Sequence, residues 1–153
     1  MTFSRELVRS VPMSGTVITI GTFDGVHLGH QHLLRWLIKK SQGAGLMSMV
    51  ITFRNHPRSV LRPDEPLEYI TDLGTRVALL EGVGVDRVIS MEFTQNLSRM
   101  KAPEFVDMLV CDLKMKGLIV GPDFALGHDR EGDIPTLQRL EKEMGFWLHS
   151  IEP

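Results

Sequence analysis

The chain is nearly without cysteine, since its 153 residues include only Cys111. A single thiol excludes an intrachain disulfide and is typical of proteins of the reducing cytoplasm, where we expect this chain to work. Cys111 falls on the apolar side of a predicted helix. We therefore expect it to be a small buried hydrophobic residue rather than a nucleophile.

An excess of charge is also missing. The 17 Lys and Arg residues nearly balance the 19 Asp and Glu residues, giving a net charge of −2, so no basic field indicates a nucleic-acid partner. No apolar run approaches the roughly 20 residues that cross a bilayer. No basic start followed by an apolar stretch marks a signal peptide. We expect no nucleic-acid or membrane partner, and a length of 153 residues suits one domain.

Short apolar segments alternate with amphipathic ones along the chain. The pattern predicts strands over residues 17–20, 46–52, 86–91, 118–121 and 146–151. It predicts four helices. The first covers residues 30–41, and the second runs from an N-cap at Asp72 to about Gly82 and Gly84. The third begins at Pro103 and carries the apolar stripe Phe105, Leu109 and Leu113, and the fourth covers residues 135–144. Strands separated by helices predict an α/β fold, with a parallel five-stranded sheet and helices on both faces.

The most informative segment lies between the first predicted strand and the first predicted helix. It reads Gly21-Thr22-Phe23-Asp24-Gly25-Val26-His27-Leu28-Gly29-His30. A strand-to-helix turn offers free backbone N–H groups and the positive end of a helix dipole, which favour a phosphate. The glycines permit close approach, and two histidines three residues apart can both face the anion. This combination suggests nucleotidyl transfer.

The same histidines have simpler interpretations. Residues three apart at a helix start are often only capping or surface residues, although the Gly-rich turn after a strand favours a functional role. A zinc site built from His27, His30 and His32 is not expected, because His32 faces elsewhere on the helix and no cysteine pair completes the ligands.

Two further irregular stretches follow the ends of predicted strands. Residues 53–70 contain three prolines, and residues 122–135 are rich in glycine and charge. In an open α/β sheet, ligands bind at the edge formed by the carboxyl ends of the strands. The sequence therefore predicts a site at that edge, lined by three loops.

Four sequence blocks resemble one known family in order and spacing. They are Gly21 to Gln31 with the form Gly-Val-His-x-Gly-His-Gln, Thr52-Phe53-x-x-His56-Pro57, Ala102-Pro103-Glu104-Phe105, and Val120-Gly121-Pro122-Asp123-Phe124-x-x-Gly127 with Arg130-x-Gly132-Asp133. From about residue 15 onward the chain resembles the FMN adenylyltransferase module of bacterial bifunctional riboflavin kinase/FAD synthetases. The resemblance implies a Rossmann-like nucleotidyltransferase fold and transfer of AMP from ATP to FMN, giving FAD and pyrophosphate.

The resemblance also implies roles for particular residues. His27 and His30 are the expected catalytic residues, in contact with the ATP phosphates and the transition state. Mg²⁺ is expected on the ATP phosphates, while riboflavin is a further candidate ligand. Asp24 and Asp123 are candidates for nucleotide or metal contacts, and the two roles stay open. The remaining expected contacts are Gly21, Thr22, Phe23 and Gly29 for the nucleotide, His56, Pro57, Phe124 and Leu126 for the flavin, and Arg58 and Arg130 for phosphate charge.

Alternatives remain at the level of the residues and of the chain. Asp24, His56-Pro57 and Asp123 also suit ordinary turns, and Phe124 also suits a core position.

The family pattern continues with a Ser-Ser-Thr-x-Ile-Arg segment and a riboflavin kinase module. We therefore expect residues 1–153 to be one adenylyltransferase domain cut before its last motif. The chain could instead be a binding module without turnover. It could also be another H-x-G-H transferase that uses CTP or acts on pantetheine phosphate or nicotinamide mononucleotide.

Overall fold

A computed structural model describes residues 3–21, 23, 28–54, 73–121 and 132–151 of the chain, without the side chains of residues 28 and 29. The elements in chain order are α1 Arg5–Ser10, β1 Thr16–Ile20, α2 Leu28–Ala44, β2 Met47–Phe53, α3 Leu73–Val83, β3 Arg87–Met91, α4 Gln95–Arg99, α5 Ala102–Asp112, β4 Met115–Val120, α6 Ile134–Met144 and β5 Trp147–Ser150.

The strands form one parallel sheet in the order β3-β2-β1-β4-β5. β1 lies in the middle of the sheet, and all five of its residues are buried. β2 pairs with one edge of β1, and β3 lies beyond β2 on that side. β4 pairs with the other edge of β1, and β5 lies beyond β4. The order of the strands reverses between β1 and β4, which in such sheets places the ligand crevice beyond the carboxyl ends of these two strands.

Each face of the sheet has its own core, because successive residues of a buried strand point to opposite faces. Val17 of β1 packs on the α2 face, together with Leu34, Leu37 and Leu80. Ile18 belongs to the other core, which contains residues from α1, α4, α5 and α6. The predicted α/β class, the parallel five-stranded sheet and the helices on both faces are confirmed.

Two short helices, α1 and α4, were not indicated by the sequence patterns. They contain six and five residues, which is too short for a hydrophobic period to show. Each begins at a side-chain cap. The N–H of Leu7 donates to Oγ of Ser4 at 3.2 Å, and the N–H of Leu97 donates to Oγ1 of Thr94 at 3.1 Å.

The bounds of two predicted elements differ from the structure by more than one residue. The helix predicted over 30–41 extends over Leu28–Ala44, so its first turn lies inside the Gly-rich segment. The strand predicted over 118–121 begins earlier, at Met115, because Gly117 continues β4 rather than breaking it. The ring of Trp147 lies against the position where a Cβ of Gly117 would stand. The predicted N-cap at Asp72 lies outside the described residues.

The prediction that Cys111 is buried is wrong. Phe105 and Leu109 occupy one side of α5, and both are buried, as is the C-cap residue Leu113. Cys111 lies two residues beyond Leu109 and is exposed. A step of two residues turns a helix to its opposite side. Partial desolvation, together with the carboxylates of Asp107 and Asp112, raises the pKa of the Cys111 thiol.

Candidate active site

The turn that follows β1 holds its first residues in a defined position. The N–H of Gly21 donates to the carbonyl of Ile51 at 3.0 Å, which continues the pairing of β1 with β2 by one residue. Phe23 then adopts a left-handed backbone conformation with φ of 53°. This conformation is uncommon for a residue with a side chain. Its presence indicates that the surrounding packing holds Phe23 in this conformation.

Gly21 and Phe23 pack with His30 of α2, and we call these three residues the Gly21–Phe23–His30 unit. The ring of Phe23 is 3% exposed and belongs to the core on the α2 face. Its centroid lies 5.0 Å from that of the His30 ring, at an interplanar angle of 63°, which is an edge-on arrangement. A Cβ on Gly21 would stand 2.9 Å from Cε2 of Phe23. Glycine at 21 therefore leaves space for the ring that packs against His30.

α2 begins at the same edge of the sheet and has the features of an anion site. It is 17 residues long, and its first turn contains no acidic side chain. The positive end of its dipole is therefore not offset by a carboxylate within that turn. His30 is the third residue of the helix and is partly exposed. His32 is exposed two residues further along, which on a helix is a different side.

The end of β2 is fixed by contacts from two other elements. The N–H of Arg54 donates to the carbonyl of Met91 at 2.7 Å. The rings of Phe53 and Phe93 meet edge to face, with centroids 5.5 Å apart. Nη2 of Arg76, a residue of α3 that is 1% exposed, donates to the carbonyl of Phe53 at 3.0 Å. The second sequence block therefore starts from a constrained strand end.

Arg76 was not among the residues predicted to matter. The sequence shows only that Arg76 shares one face of the helix with apolar residues, namely Leu73, Val77 and Leu80. A charge at such a position is costly to bury unless it is hydrogen-bonded. Only the fold shows which acceptor it reaches.

Residues 122–131 lie outside the described residues, but the end of β4 and the start of α6 on either side of them are described. The carbonyl of Val120, the last residue of β4, accepts from the N–H of Ile151 at 2.8 Å. Asp133 caps α6, because its Oδ1 accepts from the N–H of Thr136 at 3.1 Å. That hydrogen bond lowers the pKa of the Asp133 carboxyl, although the group is exposed. Asp133, part of the fourth sequence block, is thus a helix cap.

The structure describes only some of the residues expected to bind ligands. Gly21, Phe23, Gly29 and His30 lie together at the carboxyl edge of the sheet, although the Phe23 ring is buried in the core. The other candidates lie outside the described residues and stay predictions: Thr22, Asp24, His27, His56, Pro57, Arg58, Asp123, Phe124, Leu126 and Arg130. Within the described ranges, no three His, Cys, Asp or Glu side chains are grouped to hold a metal ion. No helix in those ranges is long and apolar enough to cross a membrane.

These features define a class of protein. It is an open parallel α/β protein in which the end of β1 and the N-terminus of α2 lie at the point where the strand order reverses, an arrangement that suits the phosphates of a nucleotide. The chain belongs to the FAD synthetase family, whose model matches residues 10–153.

A curated relative supports the same assignment. The bifunctional riboflavin kinase/FMN adenylyltransferase of Escherichia coli strain K12 is 37% identical to this chain over 142 residues. The match covers 92% of this chain and 45% of that protein, so the chain spans less than half the length of this relative.

Solved structures agree on the fold. A crystal structure of a protein named macrolide-efflux protein, from Streptococcus pneumoniae, matches with a TM-score of 0.79 and 24% identity, covering 95% of this chain and 48% of that one. Pantothenate synthetase from Thermus thermophilus matches with a TM-score of 0.61 and 17% identity, covering 100% of this chain and 60% of that one. At such identities the likeness concerns the fold alone.

Proposed function

We propose that this chain transfers AMP from ATP to FMN, giving FAD and pyrophosphate, and that residues 10–153 correspond to the adenylyltransferase part of its longer bifunctional relatives. The observation that carries the proposal is the position of His30. This histidine lies in the first turn of α2, beside the reversal of strand order, and packs against Phe23.

In the proposed reaction the substrate supplies the nucleophile. A phosphate oxygen of FMN attacks the α-phosphorus of ATP, the bond from that phosphorus to the bridging oxygen breaks, and pyrophosphate leaves. The protein has to align two anions and stabilise the charge that develops at the transferring phosphorus. We assign the stabilisation to His30, to the N-terminus of α2 and to His27. The candidate flavin contacts are His56, Pro57, Phe124 and Leu126, and Arg58 and Arg130 are candidates for phosphate charge.

Magnesium enters this proposal as part of the ATP substrate. Mg²⁺ commonly binds through substrate phosphates and one or two carboxylates rather than through a full set of protein ligands. Asp24 and Asp123 are the carboxylates that we propose for a contact with the metal or with the nucleotide. When bound, the ion neutralises phosphate charge.

The experiment is a chromatographic assay of FAD formation from FMN, ATP and Mg²⁺, with riboflavin as a parallel substrate. We expect FAD from FMN and no FMN from riboflavin. His30→Ala should lower kcat by roughly 10- to 1,000-fold, as for removal of a transition-state donor. His32→Ala is the matched control, because it removes an exposed histidine from the same helix.

Two results would contradict the proposal. Absence of FAD with the wild-type chain would favour a module that binds nucleotide or flavin without turnover. Equal turnover with CTP, or with pantetheine phosphate or nicotinamide mononucleotide as the acceptor, would favour another H-x-G-H transferase.

A further inference from the structure

A pocket of about 630 Å³ lies where the second half of α2 meets the edge strand β5, and we call it the α2–β5 pocket. Its wall on α2 is formed by four residues that share one side of the helix: Trp36, Lys39, Lys40 and Gly43. On β5 it is lined by Trp147 and His149, which point to the same face of the sheet because they are two residues apart. Both tryptophans of the chain therefore line one pocket.

This pocket is separate from the candidate active site. His30 lies in the first turn of α2, whereas Lys40 lies about 15 Å further along the helix axis. Among the described residues that line the pocket, none is assigned to ATP or to FMN. The proposed reaction therefore leaves the pocket without a role.

The aromatic side chains of the pocket are held by contacts within the fold. The Trp36 ring lies 4.9 Å from the His149 ring between centroids, at an interplanar angle of 32°. The Trp147 ring lies against Gly117 of β4, in the space that a Cβ would need. Both tryptophans are half-buried and pack against the core on the α2 face. A ligand would meet an aromatic surface that is already formed, so binding costs little side-chain entropy.

Two ammonium groups converge on this aromatic surface. Nζ of Lys39 lies 5.7 Å, and Nζ of Lys40 5.2 Å, from the centroid of the Trp36 ring. Both lysines are exposed, and no acidic residue is among the described residues of the lining. Glu141 accepts from the N–H of Leu148 at 2.7 Å, but it belongs to α6, which packs on the other face of the sheet. Two positive charges without a carboxylate in the described lining favour an anionic ligand.

The end of α2 adds hydrogen-bond acceptors to the pocket. Gly43 and Ala44 line it at the C-terminal end of the helix, where the last carbonyls have no partner within the helix. A Cβ on Gly43 would have no atom within 4 Å, so this part of the helix is open to the pocket. The lysines thus suit an anion, and the helix end suits groups that donate hydrogen bonds.

We propose that the α2–β5 pocket binds a phosphorylated heterocycle such as a mononucleotide. The phosphate contacts the ammonium groups of Lys39 and Lys40, and the planar ring packs on Trp147. Ring N–H groups donate to the carbonyls at the end of α2. Small-molecule sites have volumes of about 300–1,000 Å³, a range that includes this pocket. The site is additional to the one proposed for adenylyl transfer and does not depend on it.

Tryptophan emission reports binding in this pocket directly, because both tryptophans of the chain line it. AMP is the probe, since it carries a phosphate and a planar base that does not absorb at the long-wavelength edge of tryptophan absorption. We expect a saturable change in emission as AMP is added. Adenosine lacks the phosphate, and inorganic phosphate lacks the ring. Each should bind at least about tenfold more weakly than AMP, because each loses one set of contacts.

Lys40→Gln is the test variant, and Arg35→Gln is its matched control. Each change removes one exposed positive charge from α2, but the Arg35 side chain is not part of the pocket lining. K40Q should raise the Kd for AMP by roughly tenfold, as for loss of a hydrogen bond to a charged group. R35Q should leave it within about twofold of wild type. Both variants should keep the Tm of wild type, since both side chains are exposed.

His30→Ala separates the pocket from the candidate active site. It should keep the tryptophan response to AMP, because His30 lies about 15 Å away along α2. Loss of the response in H30A but not in K40Q would assign AMP to the active site and overturn the proposal. No saturable response, or the same Kd in K40Q and wild type, would overturn it as well. Equal weakening in R35Q would reduce the effect to general charge. Binding of inorganic phosphate or adenosine as tight as that of AMP would refute the proposed ligand class. FAD formation enters none of these readouts, so failure of the proposed function would leave this test unaffected.

Discussion

Gly21→Ala tests whether close packing within the Gly21–Phe23–His30 unit fixes the position of His30. The added methyl group would stand 2.9 Å from Cε2 and 3.3 Å from Cδ2 and Cζ of the Phe23 ring. Carbon atoms in contact prefer about 3.5–4.0 Å, so the ring must move by roughly 0.6–1 Å. The ring is 3% exposed and has little free space. Overpacking of this kind costs about 1–3 kcal/mol.

The same displacement reaches the proposed catalytic histidine. The Phe23 ring packs edge-on against His30 with centroids 5.0 Å apart, so a shifted ring displaces the imidazole. We expect turnover to fall by roughly 10- to 100-fold, since misplacement by about 1 Å has effects of that order. The free energy of unfolding is obtained from urea denaturation, and turnover from FAD formation.

Two variants make this prediction specific. Gly121 also follows a strand at this edge, but a Cβ there would be 4.0 Å from Cδ1 of Leu33, so Gly121→Ala should cost less than about 0.5 kcal/mol of stability. In a Phe23→Leu background the ring atoms that meet the methyl group are gone, and the cost of G21A should fall to the same level. A G21A variant with wild-type stability and turnover would refute the reasoning.

Three further predictions concern other positions. Gly117→Ala should destabilise the chain by about 1–3 kcal/mol in urea unfolding, because its methyl group must displace the Trp147 ring. Gly43→Ala, on an open helix surface, should instead stabilise the chain by up to about 1 kcal/mol. Equal effects of the two changes on the free energy of unfolding would contradict the close contact between Gly117 and the Trp147 ring. The Asp133 carboxyl has a lowered pKa when folded, so its stabilisation is present above about pH 4 and is lost as the pH falls further. The decrease in Tm from pH 7 to pH 3 should be smaller for Asp133→Asn than for wild type. The same decrease in both would contradict stabilisation of α6 by the ionised Asp133 carboxylate. The raised pKa of Cys111 predicts slow alkylation by iodoacetamide at pH 7, and Asp107→Asn should accelerate it by roughly two- to fivefold. An unaltered rate would exclude the influence of Asp107.

Hydrophobic periodicity predicts the fold well, because the buried strands are short apolar runs and the long helices carry clear stripes. The helix predicted from Pro103 shows this, since Phe105, Leu109 and Leu113 are all buried. The pattern fails where a local feature decides the structure. A Ser or Thr cap starts a helix of five or six residues, and Gly117 continues a strand because a tryptophan from the next strand needs its space.

The candidate site is predicted in part. The order of strand, glycine and helix places Gly21 and His30 at one edge, and the structure has them there. The packing of Phe23 against His30 depends on a left-handed backbone conformation that no periodicity encodes. Arg76 reaches Phe53 only because α3 folds over the end of β2. Contacts between residues distant in sequence follow from the sheet order rather than from local pattern.

The central claim is adenylyl transfer to FMN, and the most direct measurement follows the phosphorus atoms. The chain is incubated with FMN, Mg²⁺ and ATP labelled at either the α- or the γ-phosphate, and the products are separated by chromatography. The account predicts that the α label appears in FAD and the γ label in pyrophosphate, with both transfers strongly reduced in His30→Ala. Release of the γ label as inorganic phosphate, without any labelled FAD, would contradict it.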